Sequence, residues 1–233
     1  MLTKDPFKLR FSRLLRRLLT MGLVLIAGFY LYCIGVFFLL RAVNPPTTMV
    51  QVQRRIEALV RHRSYTKHYE FIPLSRMSVH IRHAVVAAED TRFYQHHGVD
   101  WLEMRKMFDR FLRGKGSLRG VSTITQQVVK NLFFTTHRSI VRKGFELTLA
   151  PLAEAILSKR RILELYLNVV EWGPGIYGIQ AAAEHYYGIP AVWLNRAESA
   201  RLAAILPAPL TRQPDRMDEY SREILRRMRL FGW

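Results

Sequence analysis

Twenty consecutive residues without a charge, MGLVLIAGFYLYCIGVFFLL at 21–40, constrain this chain more than any other feature. An α-helix rises about 1.5 Å per residue, so the run reaches about 30 Å, the thickness of a bilayer's hydrocarbon core. It is too long for the apolar region of a cleaved export signal, and no small-residue cleavage site follows it. The run therefore reads as a membrane-spanning helix. Its flanks set the direction: Lys4, Lys8, Arg10, Arg13, Arg16 and Arg17 precede it against one acid, Asp5, and a cation-rich flank stays in the cytoplasm. Residues 1–20 are then a cytoplasmic basic tail and 21–40 the span. Residues 41–64 form a linker and juxtamembrane segment that includes the stiff NPPTT (44–48), and 65–233 form one domain on the far side.

Charge and cysteine usage narrow the class. The only cysteine, Cys33, lies inside the span, so the exported part has no internal disulfide and depends on a packed core. Of the formal net charge of +18, residues 1–40 carry +5 and the exported part +13. A tethered basic domain is drawn to anionic lipid headgroups or to a phosphate-bearing substrate. Nucleic acid is not expected as a partner, because an exported domain does not meet it.

The exported part reads as helical nearly throughout. Ile81, Val85 and Ala88 fall on one helix face. Thr123 with Gln126, and Asn195 with Glu198, have the spacing of capping boxes. A long helical stretch runs from Ser139 to Asn168, with a kink expected at Pro151 and a second start near Ser158. WGPGIYG (172–178) is a turn or loop, and Gly188 closes the helix of AAAEHYYG. Alternating strand patterns are scarce. The expected fold is mostly α, with a small subdomain at about 106–138.

Three stretches carry candidate chemistry. In VVAAEDTRFYQHHG (85–98), Glu89 and Asp90 are neighbours, pointing about 100° apart on a helix, so they cannot share one proton. Glu89 belongs with the apolar face of Val85 and Val86, which would raise its pKa and suit acid/base work. Asp90, His96 and His97 could hold a metal, but the i, i+4 histidine pair of a zincin helix is missing, and a charged helix end with solvated histidines fits equally. In GVSTITQQVVKN (120–131), Thr123, Gln127, Lys130 and Asn131 make one polar stripe able to grip sugar and phosphate, or a solvated face. The preceding RGKGSLRG (113–120) reads as a mobile basic loop able to close over an anionic ligand. In HRSIVRKGFE (137–146), Arg138, Arg142 and Glu146 share a helix face, either as an exposed salt-bridge ladder or as a phosphate grip beside an ionised carboxylate. A carboxylate in an apolar setting and a second among cations is a division of labour suited to an acetal carbon with an anionic leaving group.

At this point the sequence becomes familiar. AAEDTRFYQHHG, GVSTITQQVVKN, RKGFE and SKRRILELYLNVVEWGPGIYGIQAAAEHYYG resemble, in order and spacing, the signature blocks of glycosyltransferase family 51, over roughly residues 65–210. The resemblance points to the monofunctional biosynthetic peptidoglycan transglycosylases, since no transpeptidase domain follows. It implies a lysozyme-like helical head with a small membrane-associated jaw (about 106–138), preceded by one N-terminal transmembrane helix. It implies polymerisation of lipid II into β-1,4-linked strands with inversion and release of undecaprenyl pyrophosphate, on the periplasmic side of the bacterial inner membrane. By resemblance, Glu89 is the general base and Glu146 the second catalytic acid. Asp90, Phe93, His96, Thr123, Gln127, Lys130, Asn131, Arg138 and Arg142 fall at substrate-binding positions, and His97 stands outside the block. No cofactor is required and no protein metal site is expected, with room for a divalent cation (magnesium or manganese) at the pyrophosphate. Partners would be lipid II, the growing lipid-linked strand, the membrane and other wall-synthesis or division proteins. The rivals are a membrane-tethered lytic enzyme, which would not need Lys130, Arg138 and Arg142, and a non-catalytic scaffold, which would not need both Glu89 and Glu146.

Overall fold

A computed structural model describes residues 6–114 and 122–233. Helix α1 runs from Pro6 to Leu39, and within it Leu14–Leu39 is long and apolar enough to cross a membrane. The uncharged run is thus the outer part of a longer helix that begins among the basic residues. Its last turns do not stand free. Phe29 and Tyr30 lie against Phe145, with ring centroids 5.3 and 5.9 Å apart. Phe37 meets Phe133 edge-on at 5.4 Å, and Cys33 and Phe37 are fully buried. Leu23, Leu25 and Leu31 remain exposed on the same helix, the surface that lipid would cover.

A connection through Pro45 and Pro46 leads to α2 (Met49–Val60), whose N-terminus is capped by Thr48. The helices α3 (Val79–Glu89), α4 (Trp101–Leu112), α5 (Ile124–Phe133), α6 (Ile140–Ile156) and α7 (Lys159–Val169) follow, then α8 (Ile179–Tyr187), α9 (Arg196–Ile205) and α10 (Asp218–Leu230). The core gathers the apolar faces of α3, α5, α7 and α9, with Ile81, Val85, Val128, Leu163, Tyr166 and Leu202 all essentially without solvent contact. The chain is therefore mostly helical, with one apolar helix in front, as a lysozyme-like head behind an anchor requires.

Local signals explain most boundaries. Thr123 with Gln126 and Asn195 with Glu198 both form complete capping boxes. Gly188 adopts the left-handed conformation that ends α8. The long stretch from Ser139 divides at Leu157, where Ser158 caps α7. Pro151 stays inside α6. Gly98, at φ +83°, packs so close that a Cβ there would come within 2.5 Å of Ala150 C and Pro151 N. Only glycine fits this contact.

One expectation changes. The WGPGIYG turn is the tip of a hairpin, β2 (Glu171–Gly173) and β3 (Ile176–Tyr177), and β1 (His68–Tyr69) joins β3 in parallel. Strands this short show no alternation in sequence. Of the segment 106–138, the first helix, α4, begins upstream at Trp101 and α5 lies in the core. Residues 115–121, which include most of the basic glycine-rich loop, lie outside the described residues.

Candidate active site

The site forms where the C-terminus of α3 meets α5 and α6. Glu89 ends α3, and α5 crosses in front of it because Asp90, the next residue, caps α5. Asp90 Oδ2 accepts the Ile124 N–H at 2.9 Å, and both its oxygens lie 3.0 Å from His96 Nε2. Thr123 donates its hydroxyl to Gly98 O at 2.6 Å. The acid–histidine block thus folds back on itself and locks the two helices together. Glu89 and Asp90 have separate hydrogen-bond partners, and Glu89 lines a cleft of about 740 Å³.

Within that cleft Glu89 Oε2 accepts a hydrogen bond from Gln127 Nε2 at 2.7 Å. The amide is oriented from behind, since the buried Tyr166 hydroxyl donates to Gln127 Oε1 at 3.1 Å. Burial pushes the Glu89 carboxyl above the usual carboxylate range, and the Gln127 bond and the Lys130 charge pull against that rise. A carboxylate with its proton affinity raised in this way suits a general base.

The far end of the cleft is cationic. Lys130, Arg138, Arg142 and Lys143 line it around Glu146. Burial lowers the Lys130 ammonium, with Glu146 holding it up. Lys143 Nζ bonds Glu146 Oε2 at 3.1 Å and Ser122 Oγ at 2.9 Å. Arg142 Nε stands 3.2 Å from Glu146 Oε1, and its Nη1 donates to Thr135 O at 2.8 Å. Glu146 is buried, and its Oε1 accepts no aligned hydrogen bond. Four cations against one carboxylate leave room for an anion of at least two charges.

Family comparison agrees with this geometry. The transglycosylase family model matches residues 55–230. The chain belongs to that family. It is 41% identical over 222 residues to a biosynthetic peptidoglycan transglycosylase of Chromohalobacter salexigens, covering 94% of each chain. It is 44% identical to one of Marinomonas sp., covering 84% of this chain and 82% of that one. To one of Bordetella avium it is 48% identical over 170 residues, covering 70% and 71%. The chain is a peptidoglycan glycosyltransferase.

For this transglycosylase the structure sorts the sequence candidates. Glu89, Gln127, Lys130, Arg138, Arg142 and Glu146 line the one cleft. Arg138 reaches it from outside the helix, because Ser139 caps α6 and places Arg138 before the first turn. The expected single face of Arg138, Arg142 and Glu146 is therefore reduced to Arg142 and Glu146. Thr123 is likewise the cap of α5 and not part of its stripe. Thr123 and Asp90 border a smaller recess of about 220 Å³ next to Glu89. Asn131 is buried, donates to Gln127 O at 2.8 Å and borders a second compartment. Phe93 and His96 are buried, and His97 is exposed.

Asp90, His96 and Asp100 present ligand atoms within 4.8 Å of one another, but they have other work. Asp90 holds His96 and α5, and Asp100 caps α4 and faces Arg92 Nε at 3.2 Å. Lys143, Ser122 and Tyr166 are site residues that sequence reading passed over. The i, i+3 spacing of Lys143 and Glu146 was the available signal for the first. Nothing local marks Tyr166, whose part depends on the packing of α7 against α5.

Proposed function

We propose that the chain polymerises lipid II, with Glu89 as general base. The observation that carries the reading is a single cleft with a burial-raised carboxylate at one end and a cationic cluster at the other. Glu89 takes the proton from the GlcNAc 4-hydroxyl of the acceptor lipid II. That oxygen forms a bond to C1 of the MurNAc at the reducing end of the lipid-linked strand. The bond from C1 to the phosphate oxygen breaks on the opposite face, so α becomes β-1,4. The electron pair leaves with undecaprenyl pyrophosphate. Lys130, Arg138, Arg142 and Lys143 hold the diphosphate and favour the charge that develops on it. A lytic enzyme expels a neutral sugar and has no use for this cluster.

Glu146 spaces and orients these cations. Its undonated Oε1 also fits a magnesium or manganese ion held chiefly by the substrate phosphates, since such ions commonly use one or two carboxylates and keep several other oxygen ligands. Bound there, a divalent cation would neutralise diphosphate charge. Asp90, His96 and Thr123 support the reading differently, by tying the turn after α3 to the start of α5 and so fixing Glu89 relative to Lys130, while Phe93 is buried beside His96 and Asn131 braces Gln127 O within α5.

Helix α1 anchors the chain, with its basic end in the cytoplasm and the cleft outside it, in the periplasm. Because α1 packs on Phe133, Phe134 and Phe145 of the hairpin that carries Lys130 and Glu146, the cationic end stays close to the lipid surface from which the substrate comes. Purified protein incubated with lipid II in detergent tests the reading. Long strands support it, whereas shortening of preformed strands, or no change, would count against it.

A further inference from the structure

The juxtamembrane helix α2 stands between the anchor and the cleft, and its inward face does more than fill space. Gln53 makes a two-point contact with the segment joining α5 to α6. Its Nε2 donates to Thr136 Oγ1 at 2.9 Å, and its Oε1 accepts the Thr136 N–H at 2.7 Å. The next residue back, Thr135, supplies the carbonyl that receives Arg142 Nη1 at 2.8 Å. Thr136 also lines the main cleft together with Arg138, Ser139 and Arg142. On its other side Thr136 joins Arg54 and Lys130 around a second compartment of about 330 Å³. Helix α2 is itself fixed to the head, because Arg54 donates to both oxygens of Glu171 at 3.1–3.2 Å.

A two-point amide contact sets both the position and the orientation of a backbone segment, because neither donor nor acceptor can shift without losing a bond. The geometry points to Gln53 as a positioning residue for diphosphate binding: it holds the 134–139 segment so that Thr135 O aims Arg142, and so that Arg138 enters the cleft. This inference rests on the proposed diphosphate role of Arg142. It extends the working site to a residue that precedes the family match at 55–230 and lies on the membrane-proximal helix. Its neighbour Gln51 provides an internal control. Gln51 is also buried on α2, but its Oε1 faces Thr47 and Lys67, and not the 134–139 segment.

The test is steady-state kinetics of the full-length protein on purified lipid II, separating KM from kcat. Gln53→Ala should raise KM about tenfold, the scale of one misplaced charge-assisted contact. Thr136→Val, which keeps the backbone bond and loses the hydroxyl, should give a smaller rise. Gln51→Ala should leave KM where it is. A merely structural role for Gln53 would reduce the fraction of active protein, lowering apparent kcat at constant KM. Unchanged KM in Gln53→Ala, or an equal rise in Gln51→Ala, overturns the inference. If Gln53→Ala does not fold, Thr136→Val decides alone: a raised KM supports the positioning role and an unchanged one rejects it. Arg142→Ala separates the two levels. Should that variant keep wild-type KM and kcat, the diphosphate reading fails; should it be impaired while Gln53→Ala is not, only the present inference fails.

Discussion

Replacing Gln127 by methionine removes the hydrogen bond to the base together with the acceptor of the Tyr166 hydroxyl. In the wild type, Gln127 Nε2 reaches Glu89 Oε2 at 2.7 Å, a bond that favours the ionised form. Burial already raises the Glu89 carboxyl, while Lys130 and Arg212 pull it down and Asp90 pushes it up. A hydrogen bond to a charged group is worth roughly 1.5–3 kcal/mol, which corresponds to about ten- to a hundredfold in the ratio of ionised to protonated Glu89. Loss of the bond moves the carboxyl further up. The acid limb of kcat/KM therefore shifts to higher pH, because a general base works only when ionised. On that limb the variant should be about ten- to a hundredfold slower, and on the high-pH plateau it should approach the wild type. The change strands the Tyr166 hydroxyl, now without its acceptor, so the Gln127→Met/Tyr166→Phe double variant should recover stability while keeping the shifted limb. The assay is the pH dependence of kcat/KM for lipid II polymerisation. A uniform loss at all pH values, with the limb unmoved, would refute the argument and make Gln127 a substrate contact alone.

Other consequences follow from the same geometry. Because the folded protein raises the Glu89 pKa above its unfolded value, ionised Glu89 opposes folding at neutral pH; Glu89→Gln should melt higher than wild type there, with the gap closing as pH falls and the wild-type carboxyl protonates, as thermal unfolding across pH would show. Asp90→Ala should cost at least about 3 kcal/mol of stability, from two charge-assisted bonds at roughly 1.5 kcal/mol each; a denaturation midpoint equal to wild type would mean that Asp90 does not secure α5. Lys143→Ala should slow polymerisation about ten- to a hundredfold with the fold intact, and wild-type turnover would remove Lys143 from the cationic cluster. Gly98→Ala should fail to accumulate as folded protein, since its Cβ would collide with the α6 backbone at Pro151; normal expression and melting would show that the turn can move away.

What could be read from the sequence depended on range. Caps are local, so Thr123, Ser158, Gly188 and Asn195 marked helix ends correctly. The long apolar helix was legible because its uncharged run of residues is unbroken. Glu89 stood out through the apolar residues one turn before it. The partition of the remaining candidates was not legible. Thr123 and Asn131 share a stripe with Gln127 and Lys130 by spacing, yet a cap uses its hydroxyl on its own helix, and Asn131 turns inward to Gln127 O. Arg138 fits the i, i+4 series with Arg142 until Ser139 is recognised as the cap that excludes it. The Tyr166–Gln127–Glu89 chain and the Gln53–Thr136 contact join residues 38 or more positions apart. Only packing of whole helices brings such residues together.

The most direct test of the central claim is polymerisation of purified lipid II by the full-length protein and by Glu89→Gln, compared at matched folded concentration. The wild type should build long β-1,4-linked strands and release undecaprenyl pyrophosphate in step with bond formation. Glu89→Gln should bind substrate but turn it over on the order of 10²–10⁴-fold more slowly, the usual cost of losing a general base. A correctly folded Glu89→Gln protein that keeps more than about a tenth of wild-type turnover, or a wild type that shortens preformed strands and builds none, would contradict it.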